Sequence, residues 1–174
     1  MNNSNTPAKV ILLSTGGTIE KTYDERGGLL ENRRSIILEK IVAKLRLPYT
    51  DLAVESIMAK DSLYMTDEDR ELIAKTIADR LNLGCPIIVI HGTDTMELTA
   101  RHCHERVANP AQPVIFTGAM RPLEFENTDA IQNVTEALMA ARIVSPGFYI
   151  SFHSRLFPVP QVGKNHDLGT FEAK

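Results

Sequence analysis

The run Pro86-Ile87-Ile88-Val89-Ile90 is short, uninterrupted and β-branched. Such a run predicts a strand buried on both faces, which needs helices packed above and below it. It hands over to His91-Gly92-Thr93-Asp94-Thr95-Met96 and then to Glu97-Leu98-Thr99-Ala100, which reads as a helix start. A hydroxyl and a carboxylate therefore sit where a strand gives way to a helix, the edge at which open α/β sheets bind ligands. The ordinary reading of Asp94 and Thr95 is as caps of the following helix. The rest of the chain offers several stretches of the same kind.

Strand and helix patterns alternate on both sides of this run. Lys9 to Ser14 reads as a strand ending in Thr15-Gly16-Gly17-Thr18-Ile19, where paired glycines allow a tight turn and close backbone approach to a ligand. The GxGxxG and GK[ST] spacings of nucleotide-binding loops are absent from it. Glu20 to Arg33 is polar, carries Gly27-Gly28 and predicts a long loop, with Tyr23 a candidate for closing over a site. Ser35 to Arg46 has a helical stripe at Ile37, Leu38, Ile41, Val42 and Leu45, ended by Pro48.

Leu52 to Met58 predicts the next strand and delivers Lys60-Asp61-Ser62-Leu63-Tyr64-Met65 to the same edge. Thr66 and Asp69 resemble a capping box before a helix whose buried face is read as Leu72, Ile73, Ile77 and Leu81, with Asn82 and Gly84 as its stop. After a helix from about Met96 to Val107, Pro113 to Thr117 predicts a strand ending in Gly118-Ala119-Met120-Arg121-Pro122. A helix from Asn127 or Thr128 to Arg142 follows, with Ile131, Val134, Leu138 and Met139 inward, then a strand at Phe148 to Phe152. His153 to Lys174 reads as an irregular arm folding back over the sheet edge. The whole predicts a single α/β domain over residues 1–174, a three-layer sandwich with a mainly parallel sheet.

Composition narrows the partners. A net charge of -3 with both signs interspersed leaves no basic stripe for nucleic acid. No apolar stretch reaches membrane-spanning length, and Val10 to Leu13 is too short for a signal peptide's core, so the expected location is cytoplasmic. Cys85 and Cys103 form no disulfide framework. Arg101-His102-Cys103-His104 looks metal-binding at first sight, but neighbours one and two apart on a helix diverge, so no metal is expected there.

Parallel strands end on one side of the sheet, so Thr18, Ser62, Thr93, Asp94 and the Gly118–Arg121 turn should converge. Hydroxyls and glycine-exposed N–H groups suit a carboxylate, Asp94 suits an ammonium, and a threonine hydroxyl beside a proton acceptor suits attack on an acyl carbon. Together they describe a small zwitterionic amino acid being worked on.

Three of these stretches, Thr15-Gly16-Gly17-Thr18-Ile19, His91-Gly92-Thr93-Asp94-Thr95-Met96 and Thr117-Gly118-Ala119-Met120-Arg121-Pro122, resemble signature stretches of the bacterial-type L-asparaginases, in the same order. The resemblance covers nearly the whole chain but only the N-terminal domain of a usual member. It implies hydrolysis of L-asparagine to L-aspartate and ammonia with no cofactor and no metal, L-glutamine being an alternative amide and a non-catalytic amino-acid-binding module an alternative class. It also implies a nucleophile pair, Thr18 and Tyr23, and a second catalytic cluster, Thr93, Asp94 and Lys164, with Lys164 working inside a hydrogen-bonded network. Ser62 would take the substrate's α-carboxylate with Asp61 beside it, Asp94 the α-amino group, and the backbone around Ala119 the side-chain amide. Backbone N–H groups at Gly17 and Gly92 would hold the developing oxyanion. Family members build their sites between subunits, so a homo-oligomer is expected. The usual second domain supplies a carboxylate to that site; without it, and with Leu63 where a polar residue is common, looser substrate binding is expected.

Overall fold

The computed structural model describes residues 6–32 and 36–174, with side chains at 29–38 outside that description. β1 (Ala8–Gly16) lies between β4 (Thr50–Lys60) and β5 (Ile87–Ile90), followed outward by β6 (Pro113–Thr117), β7 (Gly147–Phe152) and β8 (Arg155–Pro158). The first five of these pair in parallel; β8 closes the edge antiparallel to β7.

Alternate residues of β1 show why the sheet has three layers. Ile11 and Leu13 pack against α2 (Asp67–Leu81) and α3 (Met96–Arg106), whereas Val10 and Leu12 pack against α1 (Ile36–Lys44) and α4 (Ala130–Ile143). Ile87 to Ile90 of β5 are buried without exception, alternating between the two cores. At about 1.5–3 kcal/mol per fully buried aliphatic side chain, these two cores are the dominant stabilising term. The parallel α/β sandwich is thus as the sequence predicts. Among the described residues no helix is long and apolar enough to cross a membrane.

Several local expectations are corrected. The segment after Thr18 is no plain loop: it forms a 3-10 turn (Thr18–Glu20) and an antiparallel hairpin, β2 (Lys21–Asp24) with β3 (Leu29–Asn32). Arg33 and Ser35 lie outside the described residues, as do the side chains of Ile37 and Leu38. Leu72 and Met139 face solvent, 48% and 60% exposed, because each falls just off the stripe that contacts the sheet. α4 begins at Ala130, two or three residues later than read, since Thr128 Oγ1 accepts from Ala130 N while the backbone still turns.

The C-terminal arm is ordered too. β8 is followed by β9 (Val162–Asn165) paired with β10 (Thr170–Ala173), and Phe171 of that hairpin is buried edge-on against Phe152 at 5.1 Å.

Candidate active site

The strand ends meet through glycine. A Cβ on Gly17 would stand 2.5 Å from the Gly92 backbone, and one on Gly92 2.5 Å from Ser62 Oγ. A Cβ on Gly118 would stand 2.3 Å from the His91 carbonyl. The turns after β1, β4, β5 and β6 are therefore in direct contact at one edge, which requires residues without side chains at those positions.

The turn after β5 holds the closest polar group. Lys164 Nζ donates to Thr93 Oγ1 at 2.9 Å and to Asp94 Oδ1 at 2.6 Å. The lysine side chain is only 10% exposed, the Asp94 carboxylate 35%. Burial of the stem leaves the ammonium nowhere to go except between these oxygens, and a charge-assisted bond of this kind is short and directional. Thr93 Oγ1 accepts from the ammonium, and among the described residues its own O–H donates to no other group. Neither Asp94 nor Thr95 caps α3: the helix starts without a side-chain cap, and Thr95 Oγ1 donates instead to the Ser62 carbonyl at 2.8 Å. The turn is bound to its neighbours rather than to its own helix.

Ser62 is buried and its hydroxyl has no partner among the described residues, as expected of a group waiting for a ligand oxygen. Asp61 is engaged structurally. Its Oδ1 accepts from Leu63 N at 3.1 Å, and its Oδ2 from Lys21 Nζ at 2.7 Å, so it joins the Ser62 turn to the strand that follows Thr18. Burial opposes its ionisation, but the Lys21 bond, the Leu63 N–H and the Lys21 charge outweigh it and hold the carboxyl below the usual range.

Thr18 sits half-buried at the start of the 3-10 turn. Tyr23 is 58% exposed, and its backbone N–H donates to Glu124 Oε2 at 3.3 Å. Among the described residues no side-chain hydrogen bond joins Thr18 to Tyr23, whereas hydrogen bonds join Lys164 to Thr93 and Asp94. Ala119 is buried, and the turn after it is fixed by Asp129, which accepts from Met120 N at 2.9 Å and Arg121 N at 3.0 Å.

Sequence reading missed the residues that brace the site. Asp129, Asn133 and His153 are singly unremarkable, and only their meeting in space shows a role. Asn133, fully buried on α4, donates to the Gly118 carbonyl at 3.0 Å; a polar residue on an otherwise apolar helix face was the available signal. Behind the loop, burial lowers His91 to about 4, with its Nδ1 on the Gly92 carbonyl at 2.7 Å. On α3, His102 points to Glu71 at 3.0 Å while His104 packs edge-on against Phe148, so the two histidines do diverge.

The similarities to known proteins are specific. Residues 9–173 match the family model described as Asparaginase, N-terminal. The chain is 31% identical to an L-asparaginase of Thermococcus kodakarensis over 92% of its own length and 49% of that protein. It is 30% identical to a glutamyl-tRNA(Gln) amidotransferase component from Haloquadratum walsbyi, over 83% of this chain and 33% of that one. The solved structure of a thermostable L-asparaginase from Thermococcus kodakarensis superposes with a TM-score of 0.87 at 29% identity, covering 95% of this chain and 51% of the other. The chain spans about half or less of the length of these relatives.

Proposed function

Since this chain belongs to the asparaginase family, matching the N-terminal model of that family over nearly its full length, we propose that it hydrolyses the side-chain amide of a small amino acid, L-asparagine first, to the carboxylate and ammonia. The observation that carries this reading is the Lys164 ammonium shared between Thr93 Oγ1 and Asp94 Oδ1 at the end of the central strand. A lysine held this way beside a free threonine O–H is a proton path, and amide cleavage needs one twice.

In this reading Thr18 Oγ1 attacks the amide carbon, and the oxyanion is held by backbone N–H groups of the glycine turns and the Ala119 segment. With one Lys164 proton passed to Asp94, the neutral amine takes through Thr93 the proton that Thr18 loses, and the network then gives it to the leaving nitrogen, so the C–N bond breaks to release ammonia. Water then adds to the acyl-threonine, the C–O bond to Thr18 breaks, and the carboxylic acid departs. Ser62 Oγ takes the substrate's α-carboxylate, and Asp94, with one third of its carboxylate surface open, its ammonium. Tyr23 joins only when the β2–β3 hairpin closes on Thr18. Self-association of the chain belongs to the same reading, and light scattering reports the oligomeric state directly.

The similarity to an amidotransferase component keeps other small amides, L-glutamine among them, as alternative substrates. Ammonia release from each amide at several millimolar, with Thr18→Val and Thr93→Val as controls, tests the reading. Turnover of asparagine lost in both variants supports it; turnover of glutamine alone shifts the substrate. Release from neither amide, with aspartate still bound, makes the chain a binding module.

A further inference from the structure

The site has two walls with a cavity between them. One is the Gly118–Arg121 turn; the other is the β9–β10 hairpin, which carries Lys164 opposite Phe171. Between the turn and the Leu168–Gly169 bend of the hairpin lies a cavity of about 360 Å³, lined also by Asp129 and His153.

One side chain crosses it. His153 Nε2 lies 3.0 Å from Asp129 Oδ2, and His153 Nδ1 lies 3.0 Å from Thr170 Oγ1, on the first residue of β10. The first contact reaches the carboxylate that also accepts from the Met120 and Arg121 amides, and the second reaches the strand paired with that of Lys164. The backbone of the histidine is fixed as well, since its N–H donates to Asn133 Oδ1 at 3.1 Å and Asn133 in turn holds the Gly118 carbonyl. Asp129 can only accept, so Nε2 carries hydrogen, and Nδ1 of the neutral ring accepts from the Thr170 hydroxyl. When the ring is protonated Nδ1 donates instead and the hydroxyl accepts, so the bridge survives in either state.

His153 is held in a conformation that favours this use. It and Ser154 have φ of +46° and +62° and form the two-residue turn between β7 and β8. Side chains rarely adopt such values, and turns of this type normally take Asn-Gly. A histidine there gains nothing locally; what it gains is the crossing.

We propose that His153 is a positioning residue for the amide-hydrolysing site. Its imidazole ties Asp129 to Thr170 across the cavity and so sets Lys164 relative to the backbone at Ala119 and Met120. The inference rests on the reading given under Proposed function, but half of its test does not.

The test uses the full chain with His153→Asn, which keeps the left-handed turn and removes the bridge, Thr170→Val, which removes the hydroxyl at nearly constant volume, Thr170→Ser, which keeps it, and the double variant of the first two. Hydrogen exchange of the β9 and β10 amides reads the clamp without reference to activity. Exchange there should rise roughly tenfold in His153→Asn and in Thr170→Val and stay near wild type in Thr170→Ser. Steady-state kinetics then reads the coupling: kcat should fall on the order of tenfold in Thr170→Val and at least as much in His153→Asn, since sub-ångström misplacement is costly at a proton path. KM for Thr170→Val should stay within about threefold, and the double variant should be no slower than His153→Asn alone.

Unchanged exchange in both variants overturns the clamp whatever the activity. Multiplying losses in the double variant, or a Thr170→Ser as slow as Thr170→Val, overturns the positioning role. A wild-type chain that releases no ammonia overturns the functional reading instead, and the two failures are thereby told apart.

Discussion

Lys164 donates to Thr93 Oγ1 at 2.9 Å across 71 residues of sequence, joining a C-terminal hairpin to the first turn after the central strand. The contact exists because Phe171, opposite Lys164 in the hairpin, is buried against Phe152 at the end of β7. Packing on one face of the hairpin thus aims a cation from it.

Lys164→Met should keep the stem's packing and remove the proton path. Turnover of the amide substrate is expected to fall by roughly 10²–10⁴-fold, while aspartate binding weakens far less, because Asp94 and Ser62 remain. Parallel kinetics and calorimetric titration check this; equal losses in both would mean that Lys164 binds substrate rather than moving protons.

Gly92→Ala should damage the site through Ser62. The added methyl would meet Ser62 Oγ at 2.5 Å and its Cβ at 2.7 Å, and Ser62 is buried with little room to retreat. Overpacking of this kind costs about 1–3 kcal/mol. Chemical denaturation should show that loss, and KM should rise more than kcat falls, since Ser62 is assigned to substrate binding. A fall in kcat alone would contradict that assignment.

The legible parts of this chain were those whose signal is local or repeated. The apolar runs of β1, β5 and β6, the Thr66–Asp69 capping box and the left-handed stop at Gly84 all appear as read. So did the convergence of the strand ends, because parallel topology dictates it. The hairpins were hidden by weak local signals. His153-Ser154 turns without glycine or asparagine, and β9 is only four residues with a glycine inside it. Which group Thr95 bonds was not legible either, because its partner, the Ser62 carbonyl, lies 33 residues away. Spacing shows which residues share a helix face; it does not show which loop supplies an acceptor.

His91 makes stability depend on pH in a defined direction. The buried ring has its affinity for a proton lowered to about 4, from an ordinary 6.5, chiefly because charging it would cost its desolvation. Between those values the unfolded chain binds the proton and the folded chain does not, so stability is full above about pH 6.5 and falls as pH drops towards 4. The loss over that window is on the order of 3 kcal/mol. Urea unfolding at several pH values should show His91→Asn with a shallower acid slope than the wild type; identical slopes would mean that the ring is solvated.

Glu20 should act in the opposite sense. It is fully buried two residues beyond Thr18, and burial raises its pKa above the ordinary 4.5, with the Ser14 hydroxyl and the Gly16 backbone pulling the other way. Among the described residues no hydrogen bond of good geometry closes on either carboxylate oxygen, so the charge has little to compensate it. As pH rises past 4.5 the unfolded chain releases this proton while the folded chain still holds it, and stability falls towards neutrality. Glu20→Gln keeps the shape and cannot ionise. Its melting temperature should therefore match the wild type near pH 4 and exceed it near pH 7. A margin that stays flat or changes sign would show that the ionised carboxylate is stabilised in the fold, and the Ser14–Gly16 contacts would then be its anchor.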